Sequence, residues 1–113
     1  MRLQISEVDG RPGTVVAQVE GVVDSTTLEE FFRAVSGVFT TEVRNLLLDV
    51  SGMSFISSGG LSVLQDAYKK AKARGGTVLI VGANEQIMDL FGVVGFQKIF
   101  TFYRDLNTAL QAL

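Results

Sequence analysis

The chain has 113 residues, 47% of them apolar and 19% charged, and a formal net charge of −2. That is one domain's worth of chain, expected to span 1–113, with enough apolar material for a real core. The balance excludes a disordered tail and argues against nucleic acid as a partner.

Cysteine and histidine are both absent. Disulfides and thiol chemistry are therefore excluded, and so are the commonest general base and the commonest metal ligand. No apolar run reaches the length of a membrane span. Met1 to Gln4 leads into alternating residues rather than the apolar core of a signal peptide. The expectation is a cytoplasmic protein with no membrane partner.

Leu3, Ile5 and Val8 alternate with polar residues and predict a half-buried first strand. Asp9-Gly10-Arg11-Pro12-Gly13 is a dense turn signal, and Thr14 to Val19 is β-branched, so the two runs predict an N-terminal hairpin. Gly21 is expected to end the second strand. Asp24-Ser25-Thr26-Thr27 opens a helix, with Thr26/Glu29 and Thr27/Glu30 at capping-box spacing. Its apolar face would be Leu28, Phe31, Phe32, Val35 and Phe39.

Asn45 to Val50 reads as a strand covered on both faces. A second helix is expected over about Gly60 to Ala73, with Leu61, Leu64, Tyr68 and Ala71 inward. Lys69, Lys70, Lys72 and Arg74 complement the dipole of its last turns, and Gly75-Gly76 closes it. Thr77 to Val81 is a further buried strand. Asn84 caps a short third helix carrying Ile87, Met88, Leu90 and Phe91. Ile99 to Phe102 and Asp105 to Leu113 are the last strand and helix.

Strands followed by helices predict an α/β fold. An antiparallel N-terminal hairpin joins parallel central strands in a mixed sheet, packed with about four helices. Right-handed crossovers place the loops at Asp24, at Ser57-Ser58 and at Gly82 to Asn84 on one edge, the carboxyl edge where ligands of open α/β sheets bind.

Ser57-Ser58-Gly59-Gly60-Leu61 is the segment with the most chemistry. Two hydroxyls and two glycines at a helix start leave backbone N–H groups free and favour negative charge. The plain reading makes Ser58 a helix cap and leaves Ser57 in an exposed loop. Enzyme signatures are missing: there is no phosphate-binding G-x-x-x-x-G-K-[ST] and no G-x-G-x-x-G after a strand. A serine triad lacks its histidine, and the carboxylates are too scattered for a metal. No catalysis, cofactor or metal is expected.

These residues resemble the STAS domain family, and within it the bacterial anti-sigma factor antagonists. The resemblance rests on Gly21-Val22-Val23-Asp24, on Leu47-Leu48-Asp49-Val50, on Met53 to Leu61 and on Asp89 to Phe100. The family's loop reads Phe-X-Asp-Ser-(Ser/Thr/Ala)-Gly-Leu, and Phe55, Ser58, Gly60 and Leu61 match it.

The resemblance implies a STAS-type single domain that binds an anti-sigma factor and so releases a sigma factor. It implies that the partner is itself a serine kinase, with ATP and magnesium held by the kinase, and that phosphorylation at Ser58 switches binding off. The implied contact surface is Asp24, Ser57, Ser58, Gly59, Gly60, Met88 and Phe91. Two positions depart from the family loop: Ser57 replaces the aspartate, and Gly59 follows the acceptor. Gly59 is expected to loosen the helix start by about 0.5–1 kcal/mol relative to alanine. The departures keep two alternatives open: a constitutive, non-phosphorylated STAS adaptor of a transport or signalling complex, and a small-ligand-sensing STAS domain.

Overall fold

A computed structural model describes residues 1–40 and 42–113. In chain order the elements are β1 (Arg2–Glu7), β2 (Thr14–Val23), α1 (Leu28–Gly37), β3 (Asn45–Ile56), α2 (Ser58–Ala73), β4 (Thr77–Val81), α3 (Glu85–Val93), β5 (Thr101–Tyr103) and α4 (Leu106–Gln111). The five strands form one sheet in the order β1-β2-β3-β4-β5. Strand β1 runs antiparallel to β2, and the remaining pairs are parallel. This is the mixed architecture expected from the sequence.

Alternation sorts the side chains onto two layers. Val15, Ala17, Leu46, Leu48, Val78 and Ile80 face α1, α2 and α3, and pack with Phe31, Val35, Leu64, Ile87 and Phe91. Val16, Leu47, Leu79 and Val81 face the other way, toward Ala109, Leu106 and Leu110 of α4. Asn45 ties the starts of three strands together: its Oδ1 accepts from Thr77 N at 3.1 Å and its Nδ2 donates to Thr14 Oγ1 at 3.3 Å. Among the described residues, no helix is long and apolar enough to cross a membrane.

Four local expectations change. Strand β1 is an edge strand in which Leu3 alone is half-buried, and Ile5 is 39% exposed. Strand β2 does not stop at Gly21. The glycine takes a φ of +90° inside the strand, at one of two register shifts against β3. Strand β3 runs on to Ile56 rather than Val50. Phe32 leaves the apolar face of α1 and lies 46% exposed, with the Lys70 ammonium 5.9 Å from its ring centre.

The extra length of β3 decides where the candidate site sits. Its first part pairs with both neighbours, but β4 ends opposite Asp49. From there to Ile56, β3 pairs with β2 alone and carries one extra residue at each of two bulges. The bulges explain why its buried residues fall at Val50, Met53 and Ile56, three apart rather than two.

Candidate functional site

Strands β2 and β3 end side by side, with Val23 opposite Ile56. The Ser57 N–H donates to Val23 O at 2.8 Å, so the loops after both strands leave the sheet together. Those loops carry Asp24 and Ser57-Ser58. The sequence expected them on one edge, and the register puts them there.

Ser57, not Ser58, caps α2. Its backbone is extended, and its Oγ accepts from Gly60 N at 3.3 Å. Ser58 is the first helical residue and is exposed. Its hydroxyl makes no hydrogen bond to any described residue. The one-residue offset has a simple cause: β3 holds its extended backbone through Ile56, so the first residue free to turn is Ser57. The helical turn then sets Ser57 Oγ against the third N–H of the helix. Ser57→Ala removes that acceptor and should lower stability by about 1 kcal/mol, read from the urea midpoint at unchanged slope.

The two glycines after Ser58 lie in close packing, Gly60 more tightly than Gly59. A methyl group on Gly59 would come within 2.8 Å of Leu28 Cδ2, where the starts of α1 and α2 touch. On Gly60 it would lie 2.6 Å from Ile56 Cγ1 and 3.0 Å from Val23 Cγ1. The Leu28 methyl is the free end of a flexible side chain and can shift, so a methyl at Gly59 is accommodated more cheaply than one at Gly60, which meets the buried Ile56 and Val23. Gly60 is buried and presents no surface to a partner.

Asp24 closes the other half of the edge. Its Oδ1 accepts from Thr26 Oγ1 at 2.7 Å and from Thr26 N at 2.9 Å. These two bonds, the hydroxyl's first, hold its carboxyl below the ordinary carboxylate pKa, so the side chain is an anion at neutral pH. The expected capping boxes do not form. Thr27 turns its hydroxyl back toward β2, donating to Val22 O at 3.0 Å and accepting from Asp24 N at 3.0 Å.

Helix α3 borders the site through Asn84. Its Oδ1 caps the helix by accepting from Ile87 N at 2.9 Å, and its Nδ2 donates to Met53 O at 3.2 Å. The sequence reading gave Asn84 only the cap. Met88 is half-buried against the core. Phe91 is fully buried, its ring centre 5.6 Å from that of Phe96 and 5.8 Å from that of Phe102. It cannot touch a partner, which corrects the expected contact set: Phe91 and Gly60 stand behind the surface, while Ser58 lies on it. Residues one turn apart, such as Ile87 and Phe91, share the inward face of a helix.

Sequence reasoning missed one apolar feature. Val22 and Phe55 are cross-strand partners, 37% and 40% exposed. Each precedes a residue that points into the helical layer, so the pair lies on the opposite face of the sheet at the same edge. Val22 and Val23 are adjacent in a strand and so face opposite sides of the sheet. Val93 and Val94, at the end of α3, are also exposed, at 84% and 44%.

The profile of the STAS domain family matches residues 6–109. The chain belongs to the STAS domain family. BtrV of Bordetella bronchiseptica is 26% identical over 112 residues, covering 99% of this chain and 94% of that protein. The anti-sigma F factor antagonist of Paenibacillus polymyxa is 25% identical over 114 residues, covering 100% of this chain and 97% of that one. Among solved structures, an anti-sigma factor antagonist from Mycobacterium paratuberculosis superposes on this STAS domain with a TM-score of 0.86 at 26% identity, over 98% of this chain and 92% of that one. The unphosphorylated form of SpoIIAA matches at a TM-score of 0.75 and 17% identity, which speaks for the fold alone.

Proposed function

We propose that this STAS domain is an anti-sigma factor antagonist. It binds an anti-sigma factor that is also a serine kinase, and phosphorylation of Ser58 by that kinase releases it. ATP and magnesium belong to the kinase. The reading places the protein in the cytoplasm, where sigma factors act.

The observation that carries the proposal is the state of the Ser58 side chain. It is exposed at the first turn of α2, and its hydroxyl is not spent on capping because Ser57 does that work. A kinase can therefore reach it without unmaking the fold. The relatives named as antagonists match nearly the full chain, which supports the same role. In this reading Asp24, Ser57, Gly59 and the exposed part of Met88 make up the surrounding contact surface.

Charge explains the switch. A phosphate adds about −1.5 to −2 charge and three acceptor oxygens. At the start of α2 the dipole and the free N–H groups of Ser58 and Gly59 accommodate that charge within the domain. Inside a close interface the same charge is desolvated, and beside an acidic surface it is repelled.

The test mixes the protein with a kinase-type anti-sigma factor from its own genome, ATP and magnesium, followed by intact mass and peptide mapping. One phosphate is expected, on Ser58, with loss of the complex. A phosphate elsewhere, or a complex that survives phosphorylation, overturns the switch and leaves constitutive binding.

A further inference from the structure

The geometry points to a homodimer in which β1 of one copy pairs antiparallel with β1 of a second, extending the sheet across the two chains. The two edges of the sheet differ. Strand β5 is three residues long and offers little ladder. Strand β1 is six residues long, pairs with β2 without a register shift, and has its outer side open. It carries neither proline nor lysine, and its charged residues, Arg2 and Glu7, stand at its two ends rather than along its middle.

The hydrogen-bonding direction of each residue follows from the strand's neighbours. Val8 N donates toward β2, to Thr14 O, and Gly13 O accepts from the β3 side, from Arg44 N and Asn45 N. Alternation then turns the backbone groups of Arg2, Gln4 and Ser6 toward β2. The N–H and C=O groups of Leu3, Ile5 and Glu7 point outward, with no partner among the described residues.

One two-fold register satisfies both backbone and side chains. It sets Gln4 opposite Gln4 of the second copy and Leu3 opposite its Ile5. The outward groups of Leu3 and Ile5 then exchange hydrogen bonds. On the helical face, the row across the seam reads Val19, Leu3, then Ile5 and Ala17 of the other copy. On the opposite face it reads Gln18, Gln4, then Gln4 and Gln18 of the other copy. Apolar meets apolar, amide meets amide, and no like charges oppose each other. The register centred on Ile5 overlaps the two strands equally but sets Leu3 against Glu7 instead. The self-complementarity of these rows selects a second copy of this chain as the occupant. It also accounts for Ile5, 39% exposed on the edge of the sheet.

Two measurements test this. Sedimentation at about 100 µM, far above a micromolar Kd, should give twice the single-chain mass. Ile5→Lys should return it to one, with unchanged circular dichroism and a melting temperature that no longer rises with protein concentration. The chain has no cysteine, so Gln4→Cys makes a single reporter. In a non-hydrogen-bonded pair on the two-fold axis the Cα atoms lie about 4.5 Å apart, within disulfide reach. Mild oxidation should cross-link Gln4→Cys fully and leave Gln86→Cys, exposed on α3, as single chains. A wild-type protein of single-chain mass, a dimer untouched by Ile5→Lys, or equal cross-linking of the two cysteine variants overturns the proposal. None of these readouts depends on Ser58 or on an anti-sigma factor.

Discussion

Ser58→Asp is expected to weaken binding of the anti-sigma partner by about 100-fold, while Ser58→Ala binds within a few-fold of the wild type. The estimate follows from like-charge and desolvation costs of several kcal/mol at a close interface, reduced because aspartate carries less charge than phosphate. Two opposed effects of one substitution make the test sharp. An anion at the first turn of α2 meets the positive end of the helix dipole and should raise the stability of the free domain by about 0.3–1 kcal/mol. Ser58 Oγ has no hydrogen bond to a described residue to lose, and the Asp24 anion on the same edge keeps the gain toward the low end of that range. The expected pattern is therefore tighter folding with weaker binding, measured by thermal melts and by calorimetry with the partner. Equal affinity of the two variants would rule out charge control at this position.

Gly76→Ala should be among the most damaging single-methyl additions in the domain. A Cβ there would stand 1.8 Å from Arg44 O, and that carbonyl also accepts the first bond of β4, from Thr77 N at 3.1 Å. Neither side can yield easily. Gly76 is itself held by its N–H to Ala71 O at 2.8 Å, which ends α2. Overpacking against backbone costs about 3 kcal/mol, a large share of a total of about 5–15 kcal/mol. The corresponding fall in melting temperature is about 15 °C. Gly75→Ala is the natural comparison. Gly75 has a φ of +74° and open space around it, so alanine there meets only the left-handed backbone penalty of about 1–2 kcal/mol. Equal losses at the two positions would contradict the packing described at Arg44.

Much of this architecture was legible because local signals and burial agree. The β4 run Thr77 to Val81, the Asn84 cap and the positive-φ turn at Gly75 appear where the residue types call for them. The misreadings arise where tertiary contacts change the period. Ser51 to Ser54 shows no alternation, because bulges in β3 reset which side faces the core, so the strand looked finished at Val50. Gly21 reads as a breaker, yet its positive φ serves a register shift inside a continuing strand.

The site was legible in outline and misassigned in detail. Adjacent serines are equivalent as letters, and only the end of β3 decides that Ser57 caps and Ser58 is free. Phe91 has the composition of a contact residue, but its rings of Phe96 and Phe102 put it in the core. The link from Asn84 to Met53 O spans 31 residues of sequence and has no local signature.

The overhang of β3 beyond β4 also bears on how such a domain can change over generations. Leu46, Leu47 and Leu48 are fully buried between two neighbouring strands and two layers, so almost any replacement there is purged for stability. A few residues on, Ser51, Ser54 and Phe55 are exposed on a stretch bonded to one neighbour. Exchanges at such positions shift stability by about 0.5 kcal/mol or less. The same strand thus joins a tightly constrained anchor to a tolerant tip, and the tip leads directly into Ser57 and Ser58. New partner preferences can be sampled there by drift, one neutral step at a time, while the sheet that orients the serine stays fixed.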